Sequence, residues 1–170
     1  MPTLSSSTVS VELHDDGTFV IEWPEHATRV GPLHASVTVG GFTEPVPGPW
    51  YLDGATAHAG GLDGAPALEV RLEDATPGGV LVTASYAASV DEVVDRFTIA
   101  GPTDLDATTR LVEGYDSWAW AGVRRASRPG RSFWRSAFVG PRGALTVSAR
   151  TAHRLVTAIE WDAEIGRAHV

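Results

Sequence analysis

Carboxylates, imidazoles, hydroxyls and indoles are the groups in this sequence that could do chemistry, and their spacing decides which of them can work together. Three acid pairs, Asp15/Asp16, Glu73/Asp74 and Asp91/Glu92, are neighbours in sequence. Set in turns or at strand edges, such pairs are expected to stay solvated, so none is assigned to acid/base work. The six histidines, at positions 14, 26, 34, 58, 153 and 169, show no ligand spacing for a metal. Zinc would need three or four ligands converging. Ser117 lacks the Gly-x-Ser-x-Gly surround of an activated nucleophile and has no indicated base. The absence of cysteine removes a thiol nucleophile, a thiolate metal site and a disulfide framework. Scattered glycine pairs form no phosphate loop. No catalytic residue, no metal and no cofactor are therefore expected.

The stretch that remains is 114–120, Gly114-Tyr115-Asp116-Ser117-Trp118-Ala119-Trp120. If it is extended, Asp116, Trp118 and Trp120 share one face, and Tyr115, Ser117 and Ala119 the other. Two indole plates beside a carboxylate and a hydroxyl suit a sugar ring, whose C–H face lies on an aromatic while its hydroxyls take hydrogen bonds. The competing use of Trp118 and Trp120 is to fill a core, each burying about 200 Å². Arg124 and Arg125 come soon after, in a basic stretch over 122–130 that reads as a solvated hairpin tip.

The elements that must position these residues read as strands. Residues 8–13 alternate Val9 and Val11 with polar neighbours, and 18–23 are rich in β-branched and aromatic side chains. His14-Asp15-Asp16-Gly17 between them is a hairpin signal, because Asp and Gly tolerate the positive φ of a tight turn. Pro24 stops the second strand. A short strand is expected over 37–39, closed by Gly40-Gly41, and then a long Gly/Pro-rich loop over 42–66 with at most a short strand near 50–52. Leu68, Val70 and Leu72 alternate with Glu69 and Arg71, and Thr76-Pro77-Gly78-Gly79 turns the chain. Strands are expected next over 80–86 and 93–99, with an alternative helical turn from Ser89, then a connection over 101–106. Further strands are expected over 132–138, 144–148 and 154–161. Short runs at this spacing, without a long 3.6-residue period, predict an all-β antiparallel β-sandwich with at most one short helical turn.

Read with its surroundings, Leu-Val-Glu-Gly-Tyr-Asp-Ser-Trp-Ala at 111–119 resembles the Asn-Gly-Tyr-Gln-Ser-Trp-Ser segment in the amino-terminal, supersandwich-like domain of glycoside hydrolase family 36, the α-galactosidase (melibiase) family. Gly114, Tyr115, Ser117 and Trp118 match; Glu113, Asp116 and Ala119 depart. The strands at 132–138 and 144–148, joined by Gly140-Pro141-Arg142-Gly143, are similar to the paired strands after that segment in the family. The resemblance implies a non-catalytic domain that packs on a (β/α)8 barrel, contributes to homo-oligomer contacts and borders the site where α-galactosides are hydrolysed. Tyr115, Asp116, Ser117, Trp118 and Trp120, with Arg124 and Arg125 nearby, would then face the sugar or the barrel. The catalytic pair of retaining enzymes is two carboxylates about 5 Å apart, which the family carries on the barrel and which this chain does not contain. Asp116 in place of Gln turns a neutral donor and acceptor into a charged acceptor, so substrate preference does not carry over. The alternative is a free-standing carbohydrate-binding or interaction sandwich with no enzyme attached.

Composition bounds the partners. With 43% apolar and 20% charged residues, the chain is an ordinary globular domain. The net charge of −8 is unevenly spread: residues 1–109 carry sixteen acids against three arginines, and 110–170 five acids against ten. Arg124, Arg125, Arg128, Arg131 and Arg135 around Trp134 could in principle stack and pair with nucleic acid, but no nucleic-acid motif accompanies them and the total is acidic, so no such partner is expected. No apolar run reaches membrane-spanning length, and the first seven residues have neither a basic nor an apolar leader region, which points to the cytoplasm. Residues 164–170, Glu-Ile-Gly-Arg-Ala-His-Val, look like a translated sequencing adapter, so the domain is expected to occupy 1–163 and the remainder to be a tail. A sandwich that normally covers a barrel should also expose an apolar patch.

Overall fold

Val11 and Leu13 are fully buried on one strand, and the chain then reverses at Asp15-Asp16-Gly17 with Gly17 at a φ of 87°. The Thr18 carbonyl accepts from His14 N–H at 2.9 Å and closes this turn. The hairpin joins β2 (Ser10–Leu13) to β3 (Phe19–Trp23), in antiparallel register, as its Asp-Gly signal predicts. The computed structural model describes residues 1–60, 67–74, 80–87, 93–104, 107–112, 121–133, 135–141, 143–148, 158–162 and 167–169. Among them there is no α-helix; the protein is all-β, in several antiparallel sheets. The expected turn at Ser89 lies outside the described residues, and the helical turn that is described is a 3-10 turn at Pro24–His26, where Pro24 ends β3.

The chain divides into two compact units, Met1–Ile99 and Ala100–Val170. In the first, β1 (Thr3–Ser5), β2, β3 and β4 (Thr28–Val39) lie side by side, with β5 (Phe42–Pro45) paired to β4. The strand β10 (Arg96–Pro102), which begins in this unit, comes after β4 in the same order. A second sheet has the order β6 (Trp50–Asp53), β7 (Thr56–Gly60), β8 (Ala67–Asp74) and β9 (Val80–Ala87). Its inward row of Trp50, Ala57, Ala59, Leu68, Val70 and Leu72 is buried, as are Val11, Leu13, Phe19 and Val20 of the first sheet. The sheets meet where Phe19 packs edge-on against Trp50, centroids 5.9 Å apart, and where Tyr86 stacks on Phe97 at 5.6 Å. This is a sandwich-like core, each large side chain contributing about 1.5–3 kcal/mol by burial.

Two expectations for this unit are overturned. The strand expected over 37–39 is twelve residues long, Thr28–Val39. Its buried positions run Thr28, Val30, then Leu33, Ala35, Val37, so the two-residue alternation slips by one at Gly31-Pro32. The register against β3 shifts at the same place, and Gly31 has a φ of 123° with Phe19 O 2.8 Å from where a Cβ would sit. A β-bulge has absorbed the Gly-Pro pair inside a strand instead of ending it. Within 42–60, where a loop with at most a short strand near 50–52 was expected, that strand forms as β6 and two more, β5 and β7, flank it. The glycines sit at their turns: Gly40 and Gly41 (φ 57° and 83°) between β4 and β5, and Gly54 (φ 59°) between β6 and β7.

In the second unit, one sheet has the order β12 (Gly122–Arg125), β11 (Thr109–Val112), β14 (Arg135–Gly140) and β15 (Gly143–Ser148). The end of β10 pairs with β17 (Arg167–His169), next to which lie β16 (Ala158–Asp162) and β13 (Gly130–Phe133). Phe138, Ile159 and Val112 are buried, with Ser136 Oγ donating to Leu111 O at 2.8 Å and Ser132 Oγ to Arg135 O at 2.6 Å. The stretch over 122–130 is therefore not a basic loop throughout. It is strand β12, a turn in which Ala126 is buried, and the start of β13. The run expected over 132–138 is split between β13 and β14, and the part of 154–161 that is described is β16.

Candidate functional site

Val112 and Gly122 are cross-strand partners at the end of the β11–β12 pair, so residues 113–121 connect two adjacent points of this sheet. Tyr115, Asp116, Ser117, Trp118 and Trp120 belong to that connection and lie outside the described residues. Arg124 and Arg125 are described. Both are exposed on β12, but they alternate: Arg124 stands opposite Arg110, and Arg125 opposite Thr109. Directly opposed residues share a sheet face, so the two arginines lie on opposite faces and do not converge on one ligand.

The face that carries Arg124 also carries a residue the motif reading passed over. Arg110 is only 2% exposed, and its Nε has no hydrogen-bond acceptor among the described residues. Burial, with the charge of Arg124 adding to it, lowers its pKa. Its Nη2 lies 2.8 Å from where a Cβ on residue 130 would stand, so an added methyl there would have to displace the guanidinium. The sequence held a signal for this. Arg110 shares the parity of the buried Val112, and an arginine on the inward parity of a short apolar strand is an inward charge. On the other face, Val123 (68% exposed) heads the row Val123, Leu111 and Ala137, and Val139 (45% exposed) ends the next row, Arg125, Thr109 and Val139.

The acid pairs behave as solvated groups where they are described. Asp16 accepts from Thr18 N–H at 3.0 Å and Thr18 Oγ1 at 2.8 Å, and these bonds hold its pKa below the ordinary aspartate value. Glu73 pairs with Arg71 Nε at 2.8 Å. Asp91 and Glu92 lie outside the described residues. Arg131 pairs with Glu160. Among the described residues no group of His, Asp and Glu is placed to hold a metal ion, and no helix is long and apolar enough to cross a membrane. Models of protein families, curated proteins and solved structures give no match to this chain.

Proposed function

We propose that this chain is a non-catalytic β-sandwich module of a cytoplasmic α-galactosidase-like glycoside hydrolase, packed on a catalytic (β/α)8 barrel and bordering its sugar site. The observation that carries the reading is the closure of β11 on β12 at Val112 and Gly122. Residues 114–120, with their glycine, tyrosine, serine and two indoles, belong to the connection between these two paired strands. Val123 and Val139, exposed on the same face of that sheet, support a role in covering another surface. Barrel and homo-oligomer contacts would use this face. The barrel supplies both carboxylates, and Tyr115, Asp116, Ser117, Trp118 and Trp120 supply stacking and hydrogen bonds at the rim.

The test is hydrolysis of an aryl α-galactoside by this module joined to the domain that comes after it in its gene. Replacing Trp118 by Ala removes one sugar-stacking or docking plate and should lower kcat/KM by about tenfold or disrupt assembly. Unchanged activity and unchanged assembly would remove the proposal.

A further inference from the structure

The outward face of the sheet β6–β9 carries a polar row that the role proposed for residues 114–120 does not use. Tyr51, His58, Glu69 and Ser85 are consecutive cross-strand partners, one from each strand. The row beside it is Asp53, Thr56, Arg71 and Thr83. Tyr51 and His58 are stacked, with ring centroids 5.2 Å apart and planes 18° apart. Of the three ring pairs among the described residues, this one contains an exposed ring: Tyr51 is 47% accessible, whereas Phe19 and Trp50 are buried and Tyr86 and Phe97 half-buried.

We propose that this face is a binding platform for neutral, extended oligosaccharides, with Tyr51 as the stacking plate and Glu69, Ser85 and Arg71 as the groups that hold the hydroxyls. His58 fixes the ring of Tyr51, so little rotamer freedom remains to be lost when a sugar lies on it. β6 is the outermost strand in the sheet order, so the ring face turned away from His58 has no neighbouring strand to cover it. Glu69 stands two strands away, about 10 Å, which a disaccharide unit spans. Its carboxylate makes no hydrogen bond or ion pair among the described residues and can accept from two adjacent hydroxyls. Arg71 is half exposed and uses Nε on Glu73, leaving its terminal nitrogens to donate. Thr83 Oγ1 beside it is buried without a hydrogen-bond partner among the described residues.

The composition of the face argues against other occupants. Across both rows there is no aliphatic side chain larger than threonine's methyl, and the exposed Leu81 on this face lies beyond them, opposite Glu73, so a protein partner would find no apolar centre within the rows to bury. Asp53, Glu69 and Glu73 outnumber Arg71, which repels phosphate backbones. A neutral polyol with one apolar ring face meets the remaining requirements. This site is separate from residues 114–120 and stands or falls independently of the catalytic-partner reading.

The experiment is an NMR titration of the isotope-labelled chain with cellohexaose, xylohexaose and maltohexaose. At least one should shift the amide resonances of Tyr51, His58, Glu69 and Ser85 saturably. Tyr51→Ala should weaken that binding by about tenfold or more, while Tyr51→Phe, which keeps the plate, should stay within about threefold. Glu69→Gln should weaken it as well, and Trp118→Ala should leave it unchanged. Tyr51 is exposed, so its two variants should keep the parent's thermal midpoint, which is measured alongside. No saturable shift on this face with any of the three sugars, shifts confined to the second unit, or full binding by Tyr51→Ala would each overturn the platform.

Discussion

Among the described glycines, replacing Gly48 by alanine should be one of the most costly single added methyls. A Cβ at residue 48 would lie 2.8 Å from both the Asp15 carbonyl carbon and the Gly17 nitrogen, and closer still to the Asp15 oxygen. All three atoms are backbone, so no rotamer change relieves the contact. Gly17 meets the same segment from the other side, its Cβ position lying 2.6 Å from Val46 O. The β2–β3 turn and the irregular segment leading into β6 are thus in direct backbone contact. Parting them to ordinary van der Waals distance requires a shift of about 1 Å. That shift pulls Trp50 Nε1 away from Thr18 O, now 3.2 Å, and Trp50 away from Phe19. Overpacking of this kind costs about 3 kcal/mol, and the lost buried hydrogen bond about 1 kcal/mol more. With a urea slope of about 2 kcal/mol/M, the unfolding midpoint measured by tryptophan fluorescence should fall by roughly 2 M. Gly54→Ala is the control: nothing lies within 4 Å of its Cβ position, and only its φ of 59° opposes the change. That backbone term is about 1–2 kcal/mol. A Gly48→Ala cost no greater than that of Gly54→Ala would refute the packing argument.

Single side chains give further expected outcomes. Arg110→Met removes a buried guanidinium whose Nε has no acceptor among the described residues, so stability should hold or rise by about 1 kcal/mol in urea unfolding; a loss of about 3–5 kcal/mol would mean a broken ion pair. Gly130→Ala should be harmful beside Arg110 and milder in the Arg110→Met background, a coupling that a double-mutant cycle reads directly. The folded pKa of Asp16 lies below its unfolded value because its charged form accepts two hydrogen bonds from Thr18. Its contribution is therefore complete above the unfolded pKa, about 4, and is lost as pH falls through the lower folded value. Asp16→Ala should destabilise the protein at neutral pH and flatten that acid limb of the stability profile; an unchanged acid limb would contradict the assignment.

Local signals carried much of this fold. The Asp-Gly turn placed β2 against β3, and the alternation of Leu68, Val70 and Leu72 gave both the strand and its buried face, because both depend on residues within one hairpin or one strand. The parts that were hidden depend on contacts distant in sequence. Gly31-Pro32 reads as a break, and only the β3 partner shows that it is a bulge in a twelve-residue strand. The glycines over 40–54 read as loop, whereas pairing turns them into the corners of short strands. Alternation also decides that Arg124 and Arg125 face opposite ways, which a reading by proximity in sequence could not see. Arg110 and the Tyr51–His58 row became visible only through register, since their neighbours lie on other strands.

The claim that this module serves a sugar-cleaving barrel is tested most directly by reading its gene beyond the codon for Ala163. The account predicts an open frame that continues into alternating strands and helices, with aspartates at two strand ends. A stop codon close behind, or a continuation without βα repeats, would contradict it.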